Sequence, residues 1–259
     1  MAQSRPFSQR GEAPSSGRLP DEATWAKAHP VARRRSPIRV LALGVSWAGL
    51  ALIVLFISLV ALYAVARPVS TLMLGRTIEG KSYQRIYAPL RTIAPTALSA
   101  VIASEDASFC ENDGVDWGAL HEVLSGVGKP GPSRGASTIT MQTAKNLFLW
   151  PGRSTIRKGI EIGMALVLGE AWSKARTIEI YLNIAEWGDG IYGIEAAAQR
   201  YFHKNASQLN WREAALLATA LPNPILRNPE RPTPLQRRLA GSLEVKAREN
   251  SDLLHCLPR

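Results

Sequence analysis

The chain has 259 residues, 46% of them apolar and 20% charged, enough for one packed domain with tails. Its formal net charge is +10, but residues 1–39 hold eight basic and three acidic side chains while residues 68–235 hold seventeen and fifteen. The body therefore lacks the concentrated charge of a nucleic-acid-binding domain. Two cysteines outside any C-x-x-C pair and four scattered histidines exclude a disulfide framework and a zinc site.

Residues 1–32 are rich in Ser, Pro, Gly, Arg and Ala and have no periodicity, so residues 1–39 read as a disordered basic tail. Between Arg39 and Arg67 lie twenty-seven residues without a charge. A bilayer core needs about 20 apolar residues, and a cleavable leader has a shorter apolar region nearer the N-terminus. Residues 40–66 are thus expected to be a retained transmembrane helix. Arg33, Arg34, Arg35 and Arg39 precede it and Arg67 and Arg76 follow. The denser positive side stays in the cytoplasm, which places residues 67–235 outside it.

Residues 68–94 read as an extended entry segment. From Pro95 the pattern is helical: Pro95 starts a helix whose Ala97, Leu98, Ala100, Val101 and Ile102 lead to Glu105. A loop over Gly126–Gly135 precedes helices at 137–149, 155–174 and 175–187. Gly188–Gly193 is a turn, and helices follow at 194–202 and 211–221. Asn210 and Glu213 are spaced as a capping box for the last, and Pro222 stops it. Residues 236–259 are set apart as a C-terminal tail. The fold class is mainly α. Cys110 and Cys256 read as two free thiols, with a single bridge the alternative in an oxidising compartment.

Three segments carry chemistry. Glu105-Asp106 closes an apolar helix, where the negative helix pole and desolvation both raise a carboxyl pKa toward the range of a general base. Arg157 and Lys158 precede Glu161 by four and three residues, so the three share one helix face. The helix after them is almost wholly apolar and reads as buried all round, while Glu170 and Lys174 read as a structural pair. Gly135-Ala-Ser-Thr-Ile-Thr-Met-Gln142 ends a loop and opens a helix. Its backbone N–H groups at Ser137 and Thr138, with Gln142, Lys145 and Asn146 on one face, suit a diphosphate and sugar hydroxyls.

Taken together, these segments resemble the monofunctional biosynthetic peptidoglycan glycosyltransferases over residues 68–235. Glu105-Asp106-x-x-Phe109 with Gly114 and Asp116 is similar to the family's first motif. The second is matched by Gly135 to Gln142 with Lys145-Asn146, and the third by Arg157-Lys158-x-x-Glu161. Lys174 through Tyr181-Leu-Asn183 is similar to the fourth, and Ala197-x-x-x-Tyr201-Phe202 to the fifth. Asn112 stands where the family usually has His, and Met141 where it usually has Gln; neither is a proposed proton-transfer group. No Ser-x-x-Lys occurs, so no penicillin-binding transpeptidase half is expected.

The resemblance implies a lysozyme-like, two-lobed, mostly α domain in the cell inner membrane, with its catalytic part in the periplasm. It implies inverting transfer of an undecaprenyl-linked glycan to the 4-hydroxyl of lipid II. Glu105 would be the base and Glu161 the second essential acid. Substrate contacts would come from Asp106, Phe109, Ser137, Thr138, Gln142, Lys145, Asn146, Arg157 and Lys158. No metal-binding residue is expected, although a divalent cation, Mg or Mn, can accompany the diphosphate. Partners would be the membrane and other cell-wall synthesis proteins, with no nucleic acid. A lysozyme-like hydrolase and a non-catalytic scaffold are the competing readings.

Overall fold

The computed structural model describes residues 37–125, 135–152 and 154–258. The tail before Pro37, with Arg33 to Arg35, and most of the expected 126–135 loop lie outside these. The chain divides into two units, residues 1–52 and 53–259. The described part of the first is helical, belonging to α1 (Pro37–Tyr63), whose side chains there are nearly all exposed. Within α1, Leu41–Tyr63 is long and apolar enough to cross a membrane.

The second unit is mainly α. In order it contains α2 (Thr71–Ile78), β1 (Gln84–Arg85), α3 (Pro95–Glu105), α4 (Trp117–Ser125), α5 (Ile139–Phe148), α6 (Thr155–Ala171) and α7 (Lys174–Ile184). There follow β2 (Glu186–Gly188), β3 (Ile191–Tyr192), α8 (Ile194–Phe202), α9 (Trp211–Ala220) and α10 (Pro234–Glu249). Side-chain caps fix most of the starts. Ser70, Thr138, Ser154, Ser173 and Thr233 each accept a hydrogen bond from a first-turn N–H of the helix they precede. Asn210 and Glu213 form the expected capping box of α9. Pro95 sits in the first turn of α3, where a missing N–H costs nothing.

Four differences from the sequence reading stand out. The entry segment is not wholly extended, because Ser70 nucleates α2 and Met73 anchors it in the core. The 188–193 turn is a small sheet in which β3 pairs with β1 in parallel and with β2 antiparallel. Residues 236–249 are no tail: Gln236, Ala240, Leu243 and Ala247 recur at helical spacing and bury one face of α10, which packs on α3 and α9. Finally, Cys110 and Cys256 are joined in a disulfide, with Cα atoms 5.5 Å apart.

Two hydrophobic clusters fill this unit. One gathers α3, α7, α8, α9 and α10 around Trp187, Phe109 and Tyr181. The other joins the last turns of α1 to α5, α6 and α7 through Val60, Met141, Leu168 and Ile180. Trp172 donates its indole N–H to the Val60 carbonyl at 2.9 Å, and the Phe56 and Tyr63 rings pack on Phe148. Helix α6 is not buried all round. Arg157, Glu161, Ala165 and Leu168 face inward, while Ile156 and Ile160 face outward.

Candidate active site

Glu105 is the last residue of α3 and lies half-buried in the wall of a cavity of about 710 Å³. Asp106, Ser137, Thr138 and Gln142 line the same cavity. Gln142, one turn into α5, donates its amide N–H to Glu105 Oε2 at 2.9 Å, and Ser104 donates to Oε1 at 3.1 Å. The Gln142 carbonyl accepts from the buried Tyr181 hydroxyl at 3.1 Å, so the amide orientation is fixed from both sides. Desolvation raises the Glu105 pKa above the usual carboxylate value. The hydrogen bonds from Gln142 and Ser104, and the charges of Lys145 and Arg227, oppose that rise.

Lys145 follows Gln142 by three residues on α5. Burial lowers its pKa, and the fields of both Glu161 and Glu105 hold it up. The same ammonium thus lies within electrostatic reach of both acids. Glu161 is buried and takes Lys158 at 2.6 Å and Arg157 at 3.3 Å. Lys158 also donates to Ser137 Oγ at 2.8 Å, which joins the Glu161 cluster to the wall of the Glu105 cavity. Ser137 and the charge of Lys145 therefore link the wall of the Glu105 cavity to the Glu161 cluster on α6.

Several of the other expected contacts also hold the frame. Asp106 is buried and has its pKa raised to about 6, chiefly by desolvation. Its carboxylate accepts from the Ile139 backbone N–H at 3.0 Å and from the Asn112 amide at 2.9 Å, which ties the end of α3 to the start of α5. Thr138 is the cap of α5 and donates to the Gly114 carbonyl at 2.6 Å. Asn146 is buried, and its carbonyl holds Thr71. Phe109 is sealed in the core at 0% exposure, with the Lys174 ammonium over its ring. This corrects its reading as a substrate contact: an inaccessible ring can only support the loop.

Lys174 itself donates to the Asn112 carbonyl and not to Glu170. Asn112, placed where His was expected, closes this turn by accepting from the Gly114 N–H. Gly114 adopts φ +100°, and a Cβ there would lie 2.6 Å from the Ala165 carbonyl. A Cβ on Gly169 would lie 2.2 Å from the Asp113 carbonyl. Two glycines thus let the turn after the acidic motif rest directly on the backbone of α6, the helix that carries Glu161. Asn183 is buried, and its amide bonds both the N–H and the carbonyl of Ala88, pinning the entry segment.

Arg227 and Lys246, near Glu105, had no signal in their local sequence, and Tyr181 stood in the fourth motif without a role. Arg227 donates to the Thr219 carbonyl at 2.7 Å and acts on Glu105 through its charge. Tyr181 fixes Gln142, and Lys246 lines the cavity. Among the described residues, no three His, Cys, Asp or Glu side chains converge as a metal site.

The sequence model of the family described as Transglycosylase matches residues 72–245, which include all of these groups except Lys246. A biosynthetic peptidoglycan transglycosylase of Agrobacterium fabrum is 48% identical over 221 residues, covering 85% of this chain and 98% of the relative. Its counterpart in Brucella suis is 49% identical over 208 residues, covering 80% and 93%. The protein of that name from Nitrobacter winogradskyi is 46% identical over 215 residues, covering 83% and 93%. With its acids and cations held by the segments that the family match spans, the chain belongs to the transglycosylase family, with the biosynthetic peptidoglycan transglycosylases as its relatives.

Proposed function

We propose that the protein, a peptidoglycan transglycosylase of cell-wall synthesis, polymerises lipid II by inverting transfer, with Glu105 as general base. The supporting observation is the Glu105 carboxylate itself. It is desolvated and held by Gln142 and Ser104, with the cationic cluster around Glu161 joined to its cavity through Lys158 and Ser137. A base of raised pKa takes a hydroxyl proton most readily when the carboxylate is oriented and partly shielded from water. Glu105 accepts the proton of the acceptor 4-hydroxyl. That oxygen forms a bond to C1 of the lipid-linked donor chain from the face opposite the diphosphate. The C1–oxygen bond breaks, and undecaprenyl diphosphate leaves with the electron pair. Lys145, Arg157 and Lys158 stabilise the charge growing on the leaving diphosphate, and Glu161 fixes Arg157 and Lys158 in place. A divalent cation bound with the diphosphate would add to this charge stabilisation.

The proposed location is the inner membrane, with one span, a cytoplasmic N-terminus and a periplasmic catalytic unit. The apolar helix, the disulfide and the exposed Trp150, Ile156 and Ile160 support it. The test is polymerisation of lipid II by detergent-solubilised protein, alongside Glu105→Gln. Glycan polymer should form with the wild type and fall at least a hundredfold with the variant. Shortening of finished cell wall without polymer from lipid II would instead identify a hydrolase.

A further inference from the structure

Helix α3 ends at Glu105, and the last carbonyls of any helix lack partners within it. The Asp106 N–H takes the Ile102 carbonyl. The next one, Ala103, is taken from elsewhere in the chain: Lys246 Nζ donates to it at 2.7 Å. Lys246 comes from α10, and it lines the same cavity as Glu105. A cation here opposes the negative pole of the helix that carries the proposed base. Its backbone is well held, because neighbouring Leu243 and Ala247 are buried against the main core. The chain then returns through Ser251–Leu254, which packs on α3, to the Cys256–Cys110 bridge. The C-terminal segment thus grips the end of α3 on one side and the turn after it on the other. The family match stops at residue 245, one residue before this contact.

We propose that Lys246 is a positioning residue for Glu105. It fixes the final turn of α3 so that the carboxylate meets the acceptor hydroxyl at reacting distance. Small displacements of a reacting group cost large factors in rate, while affinity for the rest of the substrate is untouched. The proposal rests on the reading of Glu105 as the base.

The experiment measures kcat and KM for lipid II with the full-length protein and its Lys246→Met and Lys246→Arg variants. Lys246 is exposed, and methionine keeps the apolar stem, so folding is expected to hold and is checked by Tm. Lys246→Met should lose about tenfold in kcat with KM changed less than about twofold, and Lys246→Arg should recover most of the loss. A wild-type kcat, a rise in KM alone, or a loss that follows the folded fraction would overturn the proposal. Glu105→Gln run in parallel separates the two claims. An active Glu105→Gln protein removes the base assignment itself, whereas an inactive one beside a wild-type Lys246→Met removes only the role of Lys246.

Discussion

Gln142 donates to Glu105 at 2.9 Å from a neighbouring helix, and this bond lowers a pKa that burial raises. The base must be ionised to accept a proton, so activity is lost as pH falls through its pKa. Replacing Gln142 by Leu removes an interaction that favours the ionised form. The acid limb of kcat/KM against pH should move to higher pH, and kcat/KM at neutral pH should fall about tenfold. A pH profile that superimposes on that of the wild type refutes the coupling.

Glu161 neutralises Arg157, which is itself buried, and the more open Lys158. Glu161→Gln leaves the Arg157 guanidinium without its counter-charge in the interior. The expected cost is about 2–3 kcal/mol, because one of the two cations is partly solvated. Thermal unfolding should start roughly 5–10 °C lower, and polymerisation should be lost at temperatures where the variant is still folded. An active variant would remove Glu161 from the mechanism.

Asp106 is expected to show the opposite linkage to a salt-bridged acid. Its folded pKa, about 6, lies above the unfolded value of 3.8. The folded state therefore binds the proton more tightly. That contribution is fully present below about pH 3.8 and is lost as pH rises through about 6. Relative to Asp106→Asn, the wild type should lose up to about 3 kcal/mol across that interval, measured by urea unfolding at a series of pH values. A constant difference between the two proteins would contradict the raised pKa.

The Cys110–Cys256 bridge closes a loop with a sequence separation of 146. Long closed loops restrict the unfolded chain most, so replacing both cysteines by Ser should cost about 2–4 kcal/mol. Reductant should lower the Tm of the wild type to that of the double variant and leave the variant unchanged. Equal stability with and without reductant would count against the bridge.

The sequence disclosed the site where the chemistry is local. The 157–158–161 spacing alone put two cations on one carboxylate, and the apolar run after Pro95 led to Glu105 at a helix end. It did not disclose what depends on distant segments. The charge of Arg227 acts on Glu105 from 122 residues away, Tyr181 holds its partner Gln142 from 39, and Lys246 joins the cavity wall from 141 residues beyond Glu105. Helix α2 is short and carries Thr, Gly and Arg, so its stripe is weak until Met73 finds the core. Phe109 was misread because an aromatic beside an acidic pair looks the same in sequence whether it faces a sugar or the interior. The two cysteines gave no pairing signal, since neither local spacing nor composition reports that their Cα atoms approach.

The indole of Trp172 grips the carbonyl of Val60 in the closing turns of the apolar helix, while the ring of Phe148 wedges against Phe56 and Tyr63. A version cut just before Arg67 would shed more than a tether. It would bare an aromatic and aliphatic face that these turns cover among the described residues, and self-association would follow. Any shortened form made for solution work therefore needs those final turns retained, or a polar redesign of the face they leave behind.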